Sequence, residues 1–155
     1  MAEPISWEAL QAIKGLLEQI DGTTGWHTAI GQGVILTDRS RLKLEGNAPI
    51  TLVVAGELGV SAAASSGRTT VSEMDLTIEV AVPFGSNNPE LVAHRARADI
   101  VRALGVDLRG LAVRFNKLDI TGSRFLSDAD EAGTPFTLAQ VTARAGLTET
   151  HAPAL

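Results

Sequence analysis

The chain has 155 residues, with 13 Lys and Arg against 18 Asp and Glu for a formal net charge of −5, a length suited to one domain with a core of its own. It contains no Cys, which excludes a disulfide framework, a thiolate metal site and a cysteine nucleophile. The acidic balance argues against a protein whose main task is to neutralise DNA phosphates, and no window approaches the ~18 apolar residues of a membrane span.

The first residues, MAEPISWEAL, carry acids where a secretory leader carries bases, which predicts a chain that starts and stays in a cytosol or is packed into an assembly built there. Residues 6–20 read as an amphipathic helix. Leu10, Ile13, Leu17 and Ile20 recur at helical spacing. Ser6 is its expected cap, and Asp21-Gly22 its end. Trp7 falls off the Leu/Ile stripe, so it packs on a neighbouring loop or meets a partner, tryptophan being enriched at interface hot spots. Val34-Ile35-Leu36 reads as a short strand. Arg39, Arg41 and Lys43 then alternate with Ser40, Leu42 and Leu44, the period of a half-buried strand with one basic edge.

Ile50–Val54 is a short apolar β-run. The small, nearly uncharged stretch Ala55–Gly67 reads as a long loop. From Thr69 to Phe84 alternation is strict. Met74, Leu76, Ile78, Val80 and Val82 take one face, and Glu73, Asp75, Thr77, Glu79 and Ala81 take the other. Such a strand from Val71 to Phe84 is ~46 Å long at ~3.3 Å per residue. It must bend, or extend beyond its own core to pair with another subunit.

Asn88-Pro89-Glu90 opens a helix that runs to Leu104, with a cap, a proline at the first position and an acid near the positive end of the dipole. Gly105 is its expected left-handed stop. Val92, Ala96, Ile100, Ala103 and Leu104 share one face, whereas His94, Arg95 and Arg102 share the opposite face with Asp99 at its edge. Arg95 and Arg102 either pair with Asp99 or form a patch for an acidic neighbour.

Leu111, Val113 and Phe115 alternate out of phase with Leu118 and Ile120, which predicts a bulge at Asn116-Lys117. An acidic loop, Ser127–Thr134, follows. Phe136 and Leu138 are out of phase with Val141, Ala143 and Ala145, which predicts a second bulge near Ala139-Gln140. Strands grouped around two helices indicate an α+β fold, with a mostly antiparallel sheet and both helices on one face. Residues 1–150 form the single domain, and 151–155 a tail.

Tests for chemistry find little. Asp128, Asp130 and Gly133 resemble the start of a calcium loop, but Ala132 and Ala139 stand where ligands are required. Gly31-Gln32-Gly33 lacks the rest of a dinucleotide fingerprint. His27, His94 and His151 lack metal-ligand spacing. Glu73, Asp75 and Glu79 share a strand face, where paired carboxylates suit acid–base work, an interaction surface or simple solvation. No cofactor and no catalytic residue is indicated.

The order of these elements resembles a known family. It comprises an N-terminal amphipathic helix, a β-segment at Ala48-Pro49-Ile50-Thr51-Leu52, a long alternating strand and a capped helix. Two C-terminal strands around an acidic-glycine loop complete it. This layout looks like the tail terminator proteins of long-tailed bacteriophages. The likeness spans nearly the whole chain but is one of order and spacing, so it transfers no residue role. It implies a virion protein without enzymatic activity. Such a protein forms a ring, expected to be hexameric, on the head-proximal end of the tail. It stops the major tail tube protein from polymerising further and offers a surface to the neck or head-completion protein. Genomic DNA passes through the lumen without specific binding, and Glu73, Asp75 and Glu79 are the candidates to line it. Trp7, Arg95 and Arg102 are the candidates for subunit or partner contacts.

Overall fold

A computed structural model describes residues 4–61, 67–105 and 115–150. The alternating segment forms strand β3, Thr69–Pro83, at the centre of the sheet. Its neighbours are β2, Ile50–Val60, and β5, Pro135–Thr150. Strand β4, Phe115–Ala129, forms one edge beyond β5, and the two-residue β1, Val34–Ile35, forms the other beside β2. The order is β1-β2-β3-β5-β4. Only β1 and β2 run parallel; every other pair is antiparallel. With its two main helices this is an α+β fold.

Helix α1, Ile5–Glu18, buries Ala9, Ile13, Leu16 and Leu17, a spacing that returns to one face every turn. Helix α2, Pro89–Leu104, buries Ala93, Ala96, Ile100, Ala103 and Leu104. Both stripes meet the Met74, Leu76, Ile78, Val80 and Val82 face of β3 in one core, joined by Val141, Ala143, Ala145 and Leu147 of β5.

Several local expectations need correction. Ser6 lies inside the first turn of α1, which is preceded by Pro4 and has no side-chain cap. The segment with Arg39 and Arg41 is a 3-10 turn, Arg39–Arg41, started by Asp38, whose carboxylate accepts from the Ser40 N–H at 3.0 Å. Its apparent alternation arises because Leu42 and Leu44 pin a loop to the sheet. Residues Ala55–Val60 are not loop; they continue β2 past a bulge between Ala55 and Leu58. Residues 62–66 of that expected loop lie outside the described residues, as do Leu111, Val113 and the tail 151–155. Gly105 has an ordinary φ of −82°, and the left-handed residue of α2 is its N-cap Asn88, at φ 51°.

The bulge expected at Asn116-Lys117 is present, and a second falls between Ile120 and Gly122. None falls at Ala139-Gln140, since β3 and β5 pair without a break from Thr69 with Thr150 to Pro83 with Phe136. The phase change in β5 has another cause. Phe136 and Leu138 point to the opposite face of the sheet, where they bury Leu42, Leu52 and Ala81 in a second small cluster. One end of the sheet is therefore covered on both faces, and a single alternating strand serves two cores. The expected loop at Ser127–Thr134 shrinks to a tight turn, because β4 continues to Ala129. Asp130 builds that turn. Its carboxylate accepts from the N–H groups of Ala132, Thr134 and, across the fold, Leu44 at 3.0, 2.8 and 3.1 Å.

Candidate functional site

Past the small cluster, the sheet face away from the helices is polar. The register places Glu79 opposite Gln140, Asp75 opposite Arg144 and Glu73 opposite Gly146, with Lys117 opposite that same glycine from β4. All three acids singled out from the sequence thus share one face, and each meets a base. Arg39 reaches across from its 3-10 turn and grips Glu79 with two nitrogens, at 3.2 and 2.7 Å. A third nitrogen meets Asp128 at 2.8 Å. The Gln140 side chain donates to Glu79 at 2.7 Å. Glu79 is buried at 4% exposure, so this fork answers a carboxylate that water does not reach. The Glu79 hydrogen bonds hold the Arg39 guanidinium above its ordinary range, and Arg39 holds Asp128 below the usual carboxylate range.

Glu73 and Asp75 stand further out. Lys117 pairs with Glu73 at 2.7 Å, and Arg144 with Asp75 at 3.0 Å and Glu73 at 3.9 Å. The Lys117 hydrogen bond lowers the Glu73 carboxyl, and Glu73 raises Lys117 in return. Both pairs are half exposed, so solvent screens them and each adds little to stability. Lys117 thus favours the ionised form of Glu73, which does not suit it to delivering a proton near neutrality. Among the described residues no group of three or more His, Asp or Glu side chains is placed to hold a metal ion. The face offers patterned charge.

The helix side distributes its expected contacts differently. Asp99 is buried and is not a partner of Arg95 or Arg102. Its carboxylate accepts from the backbone N–H groups of His27 and Thr28 at 3.0 and 2.8 Å, and from the Thr28 hydroxyl at 2.6 Å. It therefore ties the loop after α1 to α2. Arg102 lies over the Trp26 ring, 4.3 Å from its centroid, within the range of a cation–π contact. Arg95 is exposed and lines a cleft of about 550 Å³ with His27, Gln32, Glu45 and Val92. Trp7 is 42% exposed near the start of α1.

Sequence reasoning missed the sheet edges. β4 runs for 15 residues, and no strand among the described residues pairs with its outer side. Ile120 and Phe125 are half exposed along it, and His94 of α2 stacks on Phe125 at 3.9 Å. At the other edge β1 pairs only with Thr51 and Leu52. No strand among the described residues pairs with the rest of the outer side of β2, and its Leu58 and Val60 are exposed. Unpaired edges of this kind are templates for another strand. The alternation at Leu118 and Ile120 marked a strand, but nothing in it said which strands would be central.

Compared with known proteins, the chain matches no family model, and no curated sequence is significantly similar to it.

Proposed function

We propose that this protein is a structural component of a bacteriophage tail. It closes the head-proximal end of the tail tube as a ring, which we take to be a hexamer, and stops further addition of the tube protein. It then offers its free face to the neck or head-completion protein. The reading assigns it no catalysis and places it in the virion, after assembly in the host cytoplasm. Trp7, Arg95 and Arg102 remain candidate contacts for subunits or partners.

The observation that carries this reading is a sheet that, among the described residues, is open at both edges. One edge is a 15-residue strand with half-exposed Ile120 and Phe125, which suits a chain that works by joining copies side by side. The element order supports it through the resemblance described above. The charged sheet face supports it too, since paired acids and bases make a surface that neither grips nor strongly repels passing DNA.

The test adds purified protein to tube protein polymerising in vitro and reads tube length and tube ends by electron microscopy. Rings capping one end and arresting growth are expected. Tubes that grow unchecked, with no protein at their ends, overturn the reading. Rings that bind a neck protein but leave tube growth unaffected reassign the chain to the neck.

A further inference from the structure

The two open edges of the sheet are complementary to each other. Strand pairing alternates direction from β2 through β3 and β5 to β4, so β2 and β4 run in opposite senses. A second copy, rotated about an axis along the strands, therefore brings its β2 antiparallel to the first copy's β4. Like faces of the two sheets then coincide. On the helix side, β4 presents Ile120, Ser123 and Phe125, which share their face with Ala143, Val141 and Ala139 across the β5 register. The open part of β2 presents Leu58 and Val60 on that same side, aligned with Met74 and Ser72.

The charges also match. Arg124 of β4 lies on the opposite face beside Gln140, to which it donates at 2.7 Å, and it has no acid partner among the described residues. Glu57 of β2 lies by Glu73, Asp75 and Arg144 at the rim of a hollow on that face, and it too forms no ion pair among the described residues. An antiparallel register that sets Glu57 beside Arg124 sets Leu58 opposite Ser123 and Val60 next to Ile120. Cross-strand pairs of opposite charge and of apolar side chains stabilise a sheet.

We propose that copies of this chain associate head to tail, with the β4 edge of one copy pairing antiparallel with the Val54–Val60 edge of β2 in the next, to give one continuous sheet. The occupant of each edge is thus a second copy. The inference rests on the ring reading, because a heterologous contact of this kind closes only when the rotation permits.

The test uses the full chain and a charge exchange. Native mass is measured for the unaltered protein, for Glu57→Arg, for Arg124→Glu and for the two combined. Each single variant is expected to weaken association at least tenfold, and the combined variant to restore it. The chain has no Cys, so engineered thiols give a clean second readout. Copies with Leu58→Cys mixed with copies with Ser123→Cys are expected to cross-link on oxidation, whereas neither variant cross-links alone. Self-linking of the Ser123→Cys copies means an isologous β4–β4 dimer and overturns the proposal. A stable ring indifferent to both single charge changes also overturns it, while leaving the ring reading intact. A monomer at all concentrations, with or without tail tubes, removes both.

Discussion

At the scale of single residues, Glu79 shows how a charge that looked like surface became structural. Alternation put it on the polar face of β3 together with Glu73 and Asp75. That face is covered where the 3-10 turn at Arg39–Arg41 folds onto it, so Glu79 is buried and its two exposed companions are not. Arg39 keeps a route to water, with about a quarter of its side chain exposed. The two partners are therefore unequal. Removing Arg39 leaves a buried carboxylate with only the Gln140 amide to answer it. An unanswered buried charge costs at least the roughly 1–3 kcal/mol of an unsatisfied polar group. Removing the Glu79 charge strands a base that can still turn to Asp128 and solvent. Arg39→Ala is thus expected to destabilise the fold by about 2 kcal/mol, and Glu79→Gln by clearly less. Urea unfolding of both variants checks the order. Equal losses mean that the pair acts like a surface ion pair, with burial making no difference.

At the scale of elements, the sheet was legible where one period held and obscure where two cores shared a strand. The long β3 and the capped α2 came directly from alternation and from Asn88-Pro89, because each element's pattern has a single cause. The phase change in β5 was legible too, but its cause was not. A residue that turns to the second cluster and a residue displaced by a bulge leave the same trace in a sequence, and only the unbroken β3–β5 register separates them. Ala55–Val60 failed for a different reason. Gly and Ala say little about pairing, and β3 supplies the pairing from outside the segment. Gly31 is a comparable case, passed over as half of an incomplete motif. Its N–H donates to the Ile20 carbonyl at 2.9 Å, and a Cβ there would stand 2.7 Å from the carbonyl oxygens of Leu17, Glu18 and Ile20. All three are backbone atoms and cannot swing aside. Gly31→Ala must push the turn at Ile30–Gly33 away from the end of α1, which loosens Ile30 from the core. A loss of about 3 kcal/mol is expected, at the upper end for overpacking. Gly15→Ala, with open space around it, is the matched control and is expected to leave thermal stability unchanged or raise it, as alanine favours a helix. Similar melting temperatures for the two variants mean that the turn can shift at little cost.

At the scale of the whole molecule, the net charge of −5 does not act as a uniform negative field. On the sheet face three acids are matched, Glu73 by Lys117, Asp75 by Arg144 and Glu79 by Arg39, while Glu57 and Arg124 are left for the contact between copies proposed above. A face that lines a DNA passage need not repel. It needs only to avoid collecting unpaired bases, because each phosphate neutralised by a base releases counterions and adds to affinity. The acids at 73 and 75 then matter for what they occupy, namely the ammonium of Lys117 and the guanidinium of Arg144. Reversing both acids at once, Glu73→Lys with Asp75→Lys, frees those two bases and adds two more within the same exposed patch. The unaltered protein is expected to show no binding of duplex DNA at low salt. The double variant is expected to bind without sequence preference, and its affinity should fall steeply with salt, with a slope of about −0.9 for every phosphate engaged. Fluorescence anisotropy of a labelled duplex across a salt series reads both quantities. Tight binding by the unaltered protein sinks the idea that this face is built to let DNA slide past. A double variant that stays folded yet ignores DNA at low salt means that charge pairing on this face has no bearing on nucleic acid, and that Glu73 and Asp75 serve the sheet alone.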